Sequence, residues 1–176
     1  MWRIVVLLIL LISLFITLKP LKLPPPVVPS PVHTPYIDSA LRPIVRDYLD
    51  TLKSHGLDIS RFYRLDSILL VNDSQIICED STAIGCCDGH IVRIKRVPFI
   101  EWEDPQFYMK ILVYHELGHC ILRLPHHELF PAIMNSSMDK PLSHYKHMWS
   151  YYTEEYFAYI TYINQHPQLR LPDAQN

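Results

Sequence analysis

His115-Glu116-Leu117-Gly118-His119 sets two imidazoles and a carboxylate within five residues, and the rest of the chain has to be read around it. Residues four apart on a helix sit one turn above each other, so His115 and His119 present their rings to one face and can grip a single ion together. Glu116, beside the first of the pair, reaches a water on that ion and serves as its general base. Two nitrogen ligands and a proton acceptor on one helical turn are the elements of a hydrolytic metal centre.

The flanks fit a helix. Asp104-Pro105 supplies an N-cap residue followed by proline at the first helical position, where its missing N–H leaves nothing unsatisfied. Tyr108, Ile111, Leu112, His115, His119 and Leu122 then recur at helical spacing, and Pro125 marks the stop, so the pattern predicts a helix from about Pro105 to about Leu124. Gly118 inside it costs about 1 kcal/mol relative to alanine, which points to a neighbouring element packed closely there.

A catalytic zinc takes three protein ligands and a water. His126 and His127 follow directly after Pro125, where a chain that has just left the helix can turn back. Of the two, His126 is taken as the third ligand.

Residues 115–138, H-E-L-G-H-C-I-L-R-L-P-H-H-E-L-F-P-A-I-M-N-S-S-M, resemble the metzincin-type zinc metallopeptidases, most closely small membrane-associated or secreted ones with H-E-L-G-H-C-x-L, a further histidine and an I-M-N segment. The resemblance covers roughly residues 105–165. It implies one catalytic Zn2+ on His115, His119 and His126, with Ile133-Met134-Asn135 as a methionine turn that sets Met134 beneath the metal. The usual pattern in that family is H-E-x-x-H-x-x-G-x-x-H, whereas Leu122 stands here at the glycine position and Pro125 at the third-ligand position. His126 comes one residue late, so the turn must differ locally. Thr153-Glu154-Glu155-Tyr156-Phe157-Ala158 is similar instead to the E-x-F-A segment of gluzincin-type peptidases, in which Glu155 would be the third ligand; His127 is the remaining alternative.

The mechanism that the resemblance implies is hydrolysis of a peptide bond by a zinc-activated water, with Glu116 taking the water's proton and passing it to the leaving amine. Tyr145, Tyr151 or His144 are candidates to stabilise the oxyanion. Activity should fall in mildly acidic buffer as the ligand histidines protonate. The implied fold is α+β: a small zincin-like domain with an active-site helix, a short mixed sheet, a Met-turn and a C-terminal helix, preceded by a hydrophobic anchor.

Composition bounds the partners. A chain of 176 residues with a net charge of −2 and no basic run argues against nucleic acid as a partner, while a peptide or protein substrate is what the resemblance implies. Four glycines, spread along the chain, cannot build a phosphate-cradling loop.

Ile4 to Leu18 is uncharged and nearly all apolar, with Arg3 before it and Lys19 and Lys22 after, so residues 1–19 read as an uncleaved signal anchor or, alternatively, a cleaved signal. Lys19 to Pro35 holds seven prolines, and residues 20–35 read as an extended linker. The folded domain is expected over 36–170 with a tail at 171–176, on the extracytoplasmic side of a membrane or secreted. Cys78, Cys86, Cys87 and Cys120 suit one or two disulfides in such a compartment. Adjacent Cys86 and Cys87 seldom bond to each other, which makes Cys78 and Cys120 their natural partners; a bond to Cys120 would tie the metal helix to the preceding loop, and a buried free thiol is the alternative.

Elsewhere, Asp38 or Ser39 opens an amphipathic helix bearing Leu41, Ile44, Val45, Tyr48, Leu49 and Leu52 and closing near Gly56. Ser67–Val71 and His90–Val97 read as strands, either of which could form the substrate-pairing edge expected in zincins. A last helix is expected over about Ser150 to Asn164. Two other readings stand beside the peptidase: a non-catalytic zincin-fold binding module that keeps metal for stability, and a disulfide-braced interaction domain whose motif is accidental.

Overall fold

The computed structural model describes residues 33–72, 83–96, 104–128, 132–137 and 140–172. The expected anchor, most of the linker, Cys78 and the end of the tail lie outside the described residues. Among those described, no helix is long and apolar enough to cross a membrane.

The architecture is mixed α+β. Strand β1 (Tyr36–Ile37) leads into helix α1 (Arg42–Ser54), then a 3-10 turn (Ser60–Arg64) and strands β2 (Ser67–Val71), β3 (Gly85–Cys87) and β4 (Ile91–Lys95). Helix α2 (Pro105–Leu117) continues into a π turn (Gly118–Leu122); after it come a 3-10 turn (Ala132–Met134), helices α3 (Leu142–His147) and α4 (Trp149–Gln165), and a short 3-10 turn (Pro167–Leu169). Four strands form one sheet in the order β1-β2-β4-β3. The pairs β1–β2 and β2–β4 are parallel, while β3 returns antiparallel to β4.

That order corrects one expectation. β2 and β4, the two strands read from the sequence, are interior, and the edge packed on helix α2 is β3. Its three residues, Gly-Cys-Cys, carry no β-branched or alternating signal by which a strand is read.

Helix α1 ends as its sequence suggested. Gly56 takes φ +68°, Leu57 N–H bonds Leu52 O at 3.0 Å and Gly56 N–H bonds Lys53 O at 2.9 Å, the two bonds of a Schellman stop that needs a left-handed residue. Its N-terminus differs by a few residues, because Asp38 caps the preceding turn by accepting from Ala40 N–H. Helix α2 begins as expected, with the Asp104 carboxylate accepting from Phe107 N–H at 3.0 Å and also pairing with Lys146 of α3.

α2 is the central element. Tyr108, Ile111, Leu112, Val113, Tyr114, Glu116 and Leu117 are all buried, so apolar side chains surround it on nearly every side. It packs on β3 and β4, on α1 and on the Ala132–Met134 turn. Tyr48, Tyr114 and Tyr156 meet in the interior, where the Tyr48 and Tyr156 hydroxyls bond at 2.8 Å and so satisfy one another.

Candidate functional site: a three-histidine centre at the end of the central helix

The helix that carries His115, Glu116 and His119 does not run on as α-helix to Leu124. At Gly118 it widens into the π turn, and the Arg123 N–H reaches Gly118 O as well as His119 O. Arg123 then takes φ +60°, a left-handed conformation that turns the chain back over the helix end. Two features of the packing belong to this widening. The Tyr156 hydroxyl donates to Tyr114 O at 3.3 Å, and a side chain at Gly118 would meet the Tyr156 hydroxyl at 2.8 Å and Met134 Sδ at 2.9 Å. The close neighbour expected at Gly118 is thus α4 on one side and the 3-10 turn on the other.

The reversal brings His126 to the helix pair. The Nε2 atoms of His115, His119 and His126 form a near-equilateral triangle: 3.0 Å from 115 to 119, 3.0 Å from 119 to 126 and 3.1 Å from 115 to 126. Among the described residues these three are the group of side chains able to hold a metal ion. His127 does not join them; its backbone N–H bonds Met134 O at 3.0 Å and its ring packs against Tyr159. Nor does Glu155, which accepts a hydrogen bond from the exposed Tyr151 hydroxyl on α4. The geometry therefore favours His126 over both rivals.

The backbone fixes the protonation of the two helix rings. His115 Nδ1–H donates to Ile133 O at 2.6 Å, and His119 Nδ1–H donates to Leu124 O at 2.6 Å. A carbonyl can only accept, so in each neutral ring the proton sits on Nδ1 and Nε2 carries a bare lone pair. Two such lone pairs 3.0 Å apart repel, with a third nitrogen equally near. A shared proton cannot satisfy three nitrogens; a cation can. Nitrogens bound tetrahedrally at about 2.0–2.1 Å to zinc stand about 3.3 Å apart, close to the spacing found, and the donor set of three imidazoles suits that ion. Burial holds His115 down to about 3 and His119 down to about 4, so both stay unprotonated and available as ligands at neutral and mildly acidic pH alike, which corrects the expectation that these two rings protonate in mildly acidic buffer.

Glu116 is 5 % exposed, and burial alone pushes its carboxyl up to about 8. A buried carboxylate without a cation is unfavourable near neutrality, and a dication at the adjacent triangle would supply the missing partner. Gly85, the first residue of β3, lies directly against this group: a Cβ there would stand 2.5 Å from Glu116 Oε1 and 2.9 Å from its Cγ. Two residues further along, Cys87 is bonded to Cys120, the residue after His119, with a Cα–Cα distance of 5.7 Å. Cys86 is disulfide-bonded as well, and no described cysteine is free.

Met134 is fully buried against Gly118, in the same turn whose Ile133 carbonyl orients His115. The three proposed oxyanion partners have other contacts. Tyr145 lies in the core against Tyr152, the His144 ring bonds the Tyr152 hydroxyl at 2.9 Å, and Tyr151 bonds Glu155, so none of these contacts joins them to the histidine triangle. Sequence reasoning missed Gly85 and the carbonyls of Leu124 and Ile133. The carbonyls leave no mark on residue type; for Gly85, a glycine opening a segment with two cysteines was the one available signal. Set against protein-family models, curated proteins and solved structures, the chain matches none of them.

Proposed function

We propose that this chain is a metzincin-like, zinc-dependent peptidase in which His115, His119 and His126 hold one zinc ion and Glu116 is the general base. The observation that carries the reading is the triangle itself: three imidazole nitrogens within 3.1 Å, two of them left with a bare Nε2 lone pair because a backbone carbonyl holds the ring proton on Nδ1.

Zinc, when bound, supplies Lewis acidity that polarises a carbonyl oxygen and brings the ionisation of water into the neutral range. The chain's own residues do the rest. Ile133 O and Leu124 O keep the helix imidazoles in one tautomer and one orientation, the role of hydrogen-bonded partners behind metal ligands. A Glu116 carboxylate oxygen accepts the proton of the attacking water as it adds to the peptide carbonyl, then returns it to the nitrogen of the departing amine. β3, which among the described residues pairs only with β4, offers a backbone edge along which an extended peptide can align. The Cys87–Cys120 bond accords with an oxidising compartment, and with residues 1–19 anchoring the domain on the extracytoplasmic face of a membrane.

The test is metal analysis of the purified disulfide-bonded protein together with digestion of a peptide library. One zinc per chain and cleavage that Glu116→Gln abolishes without loss of zinc are expected. Zinc-free protein prepared with ample zinc, or undiminished cleavage by E116Q, overturns the proposal.

A further inference from the structure

Helix α2 and strand β3 meet along two matched stripes. Residues two apart on a strand face the same side, and here Gly85 and Cys87 both face the helix. On the helix side, Glu116 and Cys120 are four residues apart and lie one above the other. The repeat lengths nearly agree, about 6.6 Å for two strand residues and about 6 Å for four helical ones. Each strand position therefore has a helix counterpart: Cys87 bonds Cys120, and Gly85 stands opposite Glu116.

The two pairs do opposite things. Cys87–Cys120 fixes how far along the helix the strand lies. At that register the position opposite the carboxylate is the one without a side chain, and the fit is tight, because a Cβ on residue 85 would lie 2.5 Å from Oε1, 2.9 Å from Cγ and 3.0 Å from Cδ of Glu116. A slip of one residue along the strand would set Cys86 or Ile84 against the carboxylate instead. The glycine is required by this close approach and not by its backbone angle, since the positive-φ glycines are Gly56 and Gly89.

We propose that Gly85 is a positioning residue for Glu116, and that the Cys87–Cys120 disulfide acts with it as a register clamp that holds the edge strand where the carboxylate has one place to sit. This rests on Glu116 being the general base. The edge strand and the group that moves the proton are then mechanically one unit, and a change on the strand is felt at the carboxylate without touching the metal ligands.

The experiment uses the full chain with five variants: Gly85→Ala, Glu116→Ala, the two combined, Cys87→Ala/Cys120→Ala, and Gly85→Ala in that crosslink-free background. Urea midpoints of all forms, zinc content, and kcat and KM on a library peptide cleaved by the wild type are measured. An added Cβ must push the carboxylate by about 1 Å to regain ordinary contact, and a misplacement of that size costs roughly a hundredfold in rate. G85A is expected to keep one zinc per chain and its KM within about twofold, while kcat falls by roughly that factor. Its loss of urea midpoint should vanish in the E116A background, where the clashing atoms are gone, and shrink when the crosslink is removed and the strand can shift. G85A that fails to fold while G85A/E116A folds supports the coupling equally. Wild-type turnover by G85A, or a midpoint loss that is the same whatever stands at 116 and whether or not the crosslink is present, overturns it. If the wild type binds no zinc or cleaves nothing, the peptidase reading fails, and the midpoint cycle still decides whether residues 85, 116 and the disulfide are coupled.

Discussion

Replacing His126 by alanine removes one corner of the nitrogen triangle and leaves the other two, which are held independently of it by Ile133 O and Leu124 O at 2.6 Å each. His126 is exposed and lies beyond the reversal, so its loss should not unfold the helix. The effect should appear in metal affinity. Four-ligand structural zinc sites bind with about 10–16 kcal/mol, which is about 2.5–4 kcal/mol per ligand. At about 1.4 kcal/mol per tenfold, H126A should weaken zinc by roughly 60- to 700-fold. The assay is competition against a chromophoric chelator near neutral pH, with circular dichroism to show that the fold survives. His127→Ala and Glu155→Ala are the internal controls. The first ring faces Tyr159 and the second side chain bonds Tyr151, so both variants should bind zinc within about twofold of wild type. Wild-type affinity in H126A, or a large loss in E155A, would refute the assignment of the third ligand.

Other outcomes follow from the same geometry. Glu116→Gln removes the proton acceptor but keeps the side chain's shape, and kcat should fall by about 10²–10⁴ with zinc content unchanged, read by steady-state kinetics and metal analysis. Gly118→Ala should gain about 1 kcal/mol of helix propensity yet lose stability overall, since overpacking against Tyr156 and Met134 costs about 1–3 kcal/mol; a raised urea midpoint would contradict the close contact. In zinc-free protein the Glu116 carboxyl is raised from 4.5 to about 8, so its contribution is present below pH 4.5 and is lost as pH rises through 8. Zinc-free wild type should therefore weaken against zinc-free E116Q between about pH 4.5 and 8, by urea titration, and added zinc should erase the trend; a constant difference across that range refutes it.

How much of this was legible in the sequence depends on how local the cause is. The Asp104-Pro105 start, the helical spacing of His115 and His119, and the Gly56 stop are set by neighbours a few residues away, and each stands where the pattern put it. β3 was not legible, because Gly-Cys-Cys has no strand composition of its own: β4 pairs with it and the disulfide holds it. α3 escaped for a related reason, being a six-residue helix fastened by Lys146 to the Asp104 cap. The π turn is the most instructive case, since the side chain lodged against its Gly118 is a tyrosine more than 30 residues downstream, Tyr156.

On the metzincin-like reading proposed above, that turn also accounts for the one-residue delay of the third histidine. A π turn takes up one residue more than an α turn, so the residue that must reverse the chain falls at 123 instead of 122, and the returning histidine at 126 instead of 125. Glycine and alanine substitutions can locate the reversal directly. In a right-handed turn glycine is worse than alanine by about 1 kcal/mol, whereas in the left-handed conformation alanine is disfavoured by about 1–2 kcal/mol. The sign of the glycine-minus-alanine difference is therefore a local reading of backbone handedness, and comparing two truncations at one site cancels the lost side-chain contacts. Arg123→Gly should be more stable than Arg123→Ala, and Leu122→Gly less stable than Leu122→Ala, each by about 1 kcal/mol in urea titrations. If alanine is preferred at both positions, or the preference for glycine sits at 122, the helix does not widen as described. His126 would then lose the extra residue that carries it back to His115 and His119.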